Sequence, residues 1–173
     1  MSPASSIIQR VHNIINKIPY HDDGGNGGVH PVNLITIDQH GFPSSRLVVP
    51  RKISEDLSEI QLKTRHDTRK VVELKLAKND KVALSWWDQR GRQGWVNIKG
   101  VATLHETDAA DKDQEYRSVD IIVKCSVLEV MDYNENLMCD SEGYKPVILE
   151  WSSSRKEWRE AKTVFDKKQS DTE

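Results

Sequence analysis

The chain has 173 residues, a length that fits one domain able to bury a sizeable core. Its formal net charge of −2 and pI near 6.3 exclude the global positive field of a nonspecific nucleic-acid binder, so any anion site must be local. Two cysteines, Cys125 and Cys139, give neither a disulfide framework nor a zinc cage. No run approaches the ~18 apolar residues of a membrane span and the N-terminus lacks a secretory pattern, so a soluble, cytoplasmic protein is expected.

In chain order, Ile7, Ile8, Val11, Ile14, Ile15 and Ile18 recur at helical spacing, with Ser6 and Gln9 as a capping box and an end near Pro19. Asp22 and Asp23 follow and basic content is low, which favours a helix packed on the core over a targeting presequence. Gly24-Gly25-Asn26-Gly27-Gly28 lacks the Gly-Lys-Ser/Thr ending of a phosphate loop and reads as a surface loop.

Beyond Pro31 the pattern turns to strands. Val32 to Ile37, Arg46 to Ile53, Glu59 to Thr64, Lys81 to Trp87, Trp95 to Leu104 and Val119 to Met131 are rich in β-branched and aromatic residues, bounded by turn-forming clusters. Asp38 to Pro43 contains Gly41 at the position of positive φ, which predicts an antiparallel hairpin between the first two strands. Asp67 is the predicted N-cap of a helix running to Lys78, and a second short helix is expected over Asp108 to Tyr116. Gly100 interrupts a β-favouring run and predicts a bulge. After Glu150, Ser152 to Ser154 reads as a loop, Arg155 to Phe165 as a short helix, and Asp166 to Glu173 as a frayed end. The expected architecture is a mainly β, six-stranded antiparallel barrel flanked by helices. It forms a single domain over residues 1–173, with an N-terminal helix and loop (1–31), the barrel (32–151) and a tail (152–173).

The chemistry concentrates between Arg46 and Lys70. Arg46, Arg51, Arg69 and Lys70, with the hydroxyls of Thr64 and Thr68, supply guanidinium forks, an ammonium and O–H donors beside a helix N-terminus, which is what an organic phosphate requires. The six histidines are dispersed, without metal-ligand spacing. Ser44-Ser45 and Ser152 to Ser154 lack an identifiable base, which argues against a hydrolase. Arg90-Gly91-Arg92 with neighbouring tryptophans is better explained as a solvated hairpin tip than as a nucleic-acid stacking surface.

The order Gly41-Phe42-Pro43-Ser44-Ser45-Arg46, then Thr64-x-x-x-Thr68-Arg69-Lys70, then Asn79-Asp80-Lys81-Val82-Ala83-Leu84 and a strand reaching Gly100 resembles the FMN-binding split barrel of the pyridoxamine 5′-phosphate oxidase-like superfamily. The resemblance spans roughly residues 32–105 and implies FMN as cofactor, held by Arg46, Leu47, Val48, Val49, Arg51, Thr64, Thr68, Arg69 and Lys70. Arg51 and Thr68 stand where that family has Lys and Ser. It also implies a homodimer with the flavin at the interface. Gln93 or Trp95 would reach the ring from the partner subunit, and Trp86, Trp87 and Trp95 would line the interface or the flavin. True pyridoxamine phosphate oxidases carry an Arg-Leu-His motif after a Trp, whereas this chain has Trp151-Ser152-Ser153-Ser154-Arg155-Lys156-Glu157-Trp158. The implied function is therefore FMN binding and flavin-dependent oxidoreduction of a small molecule, without the vitamin reaction. A noncatalytic flavin-binding or stress-related module and an oligonucleotide-binding barrel are the alternatives.

Overall fold

A computed structural model describes residues 3–17, 30–76, 79–87, 94–106, 117–133 and 146–161. The Gly24–Gly28 loop, Gln93, the Arg90-Gly91-Arg92 tip and the helix expected over Asp108 to Tyr116 lie outside the described residues. The elements are helix α1 (Pro3–Lys17), strands β1 (Val32–Ile37), β2 (Pro43–Val48), β3 (Pro50–Ile53) and β4 (Glu59–Arg65), helix α2 (Arg69–Leu76), and strands β5 (Lys81–Trp87), β6 (Gly94–Glu106), β7 (Ser118–Asp132), β8 (Val147–Ser152) and β9 (Glu157–Glu160).

The expected antiparallel β architecture is present, with nine strands among the described residues in place of six. The strand order is β2-β1-β5-β6-β7-β4-β3, and β8 and β9 continue from β7. The predicted strand Arg46 to Ile53 is two strands, divided at Val49. They lie at opposite ends of the seven-strand order yet are joined by that single residue, so the sheet must curl until its two edges meet. Closure of this kind shields edges that would otherwise invite pairing with other chains.

Alternation along the strands fills the interior. Val32 and Leu34 of β1, Leu84 and Trp86 of β5, Val96 and Ile98 of β6, and Ile121, Val123, Leu128 and Val130 of β7 are buried in one cluster. Trp86 is therefore a core residue, with its indole N–H on the carbonyl of His30 at 3.4 Å, and not an exposed interface ring. Helix α1 buries Val11, Ile14 and Ile15 in the same cluster, as its apolar spacing dictates. The helix begins at Pro3, so Ser6 sits inside it rather than capping it.

Three turns are set by individual residues. Asp38 Oδ1 accepts the amides of His40 and Phe42, each at 2.9 Å, and Gly41 takes φ 83° at the β1–β2 turn. The register shift between Lys99 and Gly100 is the predicted bulge; a Cβ on Gly100 would lie 2.2 Å from the carbonyl oxygen of Lys124. The segment expected to be a helix from Arg155 forms β9 at Glu157–Glu160, after a turn in which Lys156 has φ 52°. Trp151 and Trp158 are opposite each other across β8 and β9, with ring centroids 5.4 Å apart at 65°, a cross-strand aromatic pair that outweighs weak helical propensity.

Candidate functional site

The first hairpin and α2 build a charged cluster at one end of the barrel. Thr36 follows Val32 and Leu34 on the inward face of β1 and is buried, so its hydroxyl needs partners. Cross-strand pairing sets Ser44 opposite Thr36 and Arg46 opposite Leu34, both on that inward face of β2. Helix α2 packs against β1 and brings Glu73 down onto this pair.

The resulting network is closed. The Thr36 hydroxyl donates to Glu73 Oε2 at 2.5 Å, and Arg46 donates to Thr36 Oγ1 at 2.6 Å, Ser44 Oγ at 2.5 Å and Glu73 Oε2 at 2.7 Å. Arg69, one helical turn before Glu73, donates its Nε–H to Glu73 Oε1 at 2.7 Å and lies 3.9 Å from Asp38 Oδ2. Burial raises the pKa of Glu73, but the hydrogen bonds from Thr36, Arg46 and Arg69 and the nearby positive charge outweigh it and hold the carboxyl below its ordinary value. Asp38 is likewise lowered, first by the amide of Phe42. Among the described residues, Glu73 is the group that organises the site; its spacing of four from Arg69 is a local feature, but nothing local ties it to Thr36 or Asp38.

Lys70 differs from its neighbours. It is half-buried, and no carboxylate among the described residues pairs with it. Burial, and secondly the charge of Arg46, push its pKa down. The site thus holds three cations, Arg46, Arg69 and Lys70, against the carboxylates of Glu73 and Asp38. Positive potential is left over at the start of α2, where the N–H groups of Arg69 and Lys70 precede the first helical hydrogen bonds, made by Val71 and Val72 to Thr68.

The other predicted residues distribute unevenly. Thr64 and Thr68 stand with their hydroxyl oxygens 3.3 Å apart, and the Thr68 hydroxyl donates back to the carbonyl of Arg65. Thr68, not Asp67, precedes the helix: its carbonyl accepts the amides of Val71 and Val72, while Asp67 forms a two-point pair with Arg65. Arg51 is exposed on β3 at the shift between Pro50 and Lys52, with no hydrogen bond or ion pair among the described residues. Leu47 and Val49 are exposed and Val48 packs on the core, so these three offer backbone or outer surface rather than the inward cluster. Trp95, half-buried, is paired across the sheet with the exposed Trp87.

Two cavities matter. A recess of about 310 Å³ is lined by Asp38, Gln39, His40, Arg69, Val72 and Glu73, on the outer side of the cluster. A wider groove of about 640 Å³ runs between α1 and the β8–β9 hairpin, but Glu55, Asp56, Glu157 and Glu160 outnumber Lys156 and Arg159 there, and Arg159 is paired with Glu157. The groove is the larger cavity, yet its charge disfavours a phosphate, whereas the cluster at α2 attracts one.

No protein-family model and no curated protein sequence matches the chain. Solved structures do. A pyridoxamine 5′-phosphate oxidase-related, FMN-binding protein from Nostoc punctiforme is similar at 12% identity, 94% of this chain and 98% of that one, with a TM-score of 0.61. A protein related to general stress protein 26, of the pyridoxinephosphate oxidase family, from Clostridium acetobutylicum is similar at 14% identity, covering 84% and 95%, with a TM-score of 0.58. PhzG from Burkholderia lata, in complex with tetrahydrophenazine-1-carboxylic acid, is similar at 12% identity, covering 77% and 81%, with a TM-score of 0.56. The strand order, the closure at Val49 and these likenesses agree: the chain has the fold of the pyridoxamine 5′-phosphate oxidase-related, FMN-binding split-barrel proteins.

Proposed function

We propose that the chain binds FMN, with the phosphate at Lys70, Arg69 and the Thr64–Thr68 hydroxyls, and serves as a flavin-dependent oxidoreductase for a small molecule. The observation that carries this reading is Lys70: a half-buried ammonium without a carboxylate partner among the described residues, beside Arg46 at a helix N-terminus. Such a group is completed by an anion held from several sides. The residues present fit a phosphate monoester. Arg69 is 72% exposed and keeps N–H groups beyond the one given to Glu73; the Thr64 hydroxyl can donate once a ligand oxygen replaces Thr68 as its partner, and the Thr68 hydroxyl once it turns from the carbonyl of Arg65.

When bound, the isoalloxazine supplies the electron chemistry, so this chain's residues need only hold, orient and shield it. The absence of a nucleophile–base pair in the sequence is consistent with that division of labour. A homodimer is part of the proposal. The outer face of β2, β1, β5 and β6 carries the paired Ile35–Ala83 and Trp87–Trp95, with Leu47 and Val101 on the same face and Asn33, Ser85 and Asn97 between them, a mixed surface that a second copy could cover.

The test is a titration of the purified protein with FMN and with riboflavin. Charge-assisted hydrogen bonds contribute about 1.5–3 kcal/mol each, so FMN should bind at least ~10-fold more tightly. Equal curves would sink the assignment. Reduction of the bound flavin by NAD(P)H then separates an oxidoreductase from a noncatalytic carrier.

A further inference from the structure

We infer that Glu73 is a resident counter-anion that sets how much negative charge the α2 site accepts, a reading that rests on the proposed anion site. The carboxylate is only 6% exposed and both of its oxygens are engaged, one by Arg69 and the other by Arg46 and Thr36. It therefore occupies the place an external oxyanion would take between the two guanidinium groups. Glu73 thus does two opposed things. It keeps Arg46 and Arg69 together in the unliganded protein, where their mutual repulsion would otherwise separate them. It also cancels charge that a ligand phosphate would use.

The charges around the site make the consequence specific. Facing Glu73 are Thr36 of β1, Ser44 and Arg46 of β2, Arg69 of α2, and Asp38 and His40 at the recess. With Glu73 ionised, three cations oppose two carboxylates, a balance of +1 that matches a monoanion. Without that charge the balance is +2, which matches a dianion. Arg46 is a positioning residue in this scheme: it donates three hydrogen bonds within the protein and acts on the ligand through its field at Lys70.

The experiment compares Glu73→Gln with the wild type, using inorganic phosphate and sulfate as probes, by calorimetry and by ligand-induced thermal shift. The substitution keeps the shape and removes one charge, so sulfate should bind on the order of tenfold more tightly at any pH where Glu73 of the wild type is ionised. For phosphate the gain should grow as pH rises through its second ionisation, because the dianion responds more than the monoanion. A pH-dependent change in the protein's own charge would move sulfate and phosphate alike, so the difference between them isolates the charge of the ligand. Glu150→Gln, which removes one charge from an exposed position of β8 outside this network, should leave the sulfate affinity within about twofold.

Unchanged or weakened anion binding by Glu73→Gln would overturn the inference and mark Glu73 as a geometric support. A Glu73→Gln chain that folds only with phosphate present supports it, and one that stays unfolded with saturating phosphate overturns it. The flavin proposal fails separately, if the wild type binds phosphate but does not prefer FMN to riboflavin.

Discussion

At the scale of single residues, the two arginines of the α2 site have different duties. Arg46 is largely buried and donates to Thr36, Ser44 and Glu73, whereas Arg69 is mostly solvent-exposed with one bond to Glu73. Arg69→Ala should therefore lower FMN affinity about tenfold while leaving the thermal midpoint of the unliganded protein nearly unchanged. Arg46→Ala should cost roughly 2–4 kcal/mol of stability, because it leaves buried hydroxyls and a carboxylate without their main partner. Denaturant melts of both variants check the contrast, and equal losses would contradict it. Glu73 also predicts a pH dependence. Its pKa is lowered in the folded chain, so its contribution is fully present above the unfolded value, about 4.3, and is lost as pH falls through the lower folded value. In an acid titration the wild type should lose stability below about pH 4 more steeply than Glu73→Gln; superimposable curves would show that the network does not depend on the ionised form.

At the scale of elements, the sequence was most legible where one period ruled a segment. β1 and β5 lie at their predicted bounds because alternation and flanking turn residues agree, and Gly41 and Gly100 serve the turn and bulge that their lack of a side chain suggested. The single long strand from Arg46 was misread because Leu47, Val48 and Val49 form a β-favouring run that masked Pro50, a residue that belongs at the first position of a strand and here opens β3; barrel closure sets the break at Val49. Likewise β9 lies in a charged stretch with little periodicity, and Trp158, opposite Trp151 of β8 and donating its Nε1–H to the carbonyl of Asp56 at 2.6 Å, fixes it from outside the segment. The basic half of the site was readable as phosphate chemistry, but its acidic half was not, since Thr36, Asp38 and Glu73 are brought together across 37 positions by packing of α2 on the first hairpin. Gly94 illustrates a glycine requirement set by the partner strand: its φ is 114°, and a Cβ there would stand 1.9 Å from the carbonyl oxygen of Met131. Gly94→Ala should destabilise the β6–β7 ladder by more than ~2 kcal/mol. A thermal midpoint within a degree or two of the wild type, by calorimetry, would show that the strand start yields instead.

At the scale of the whole molecule, the barrel's outer surface is uneven in polarity. Leu47 is 67% and Trp87 59% exposed, and the registers of β2, β1, β5 and β6 bring them onto one side with Ile35, Ala83 and Val101. Solitary exposed apolar residues are ordinary; the Trp87–Trp95 pair beside the Ile35–Ala83 pair is the feature that motivates the proposed contact between copies. A two-fold axis through this face would place two α2 sites in one assembly. Light scattering at micromolar concentration should then report about twice the chain mass of 19.8 kDa. Leu47→Arg and Trp87→Arg put a charge at two separate points of the face, on strands where the native side chain is solvent-exposed in the single chain. Each should shift the species toward one chain mass with little loss of folded structure, since neither side chain contributes to the core. If the flavin ring is shared between subunits, both substitutions should also weaken FMN binding while leaving inorganic phosphate binding at Lys70 intact. A wild-type protein that is monomeric and still takes up one FMN per chain would refute the shared site and confine the ligand to the residues of a single barrel.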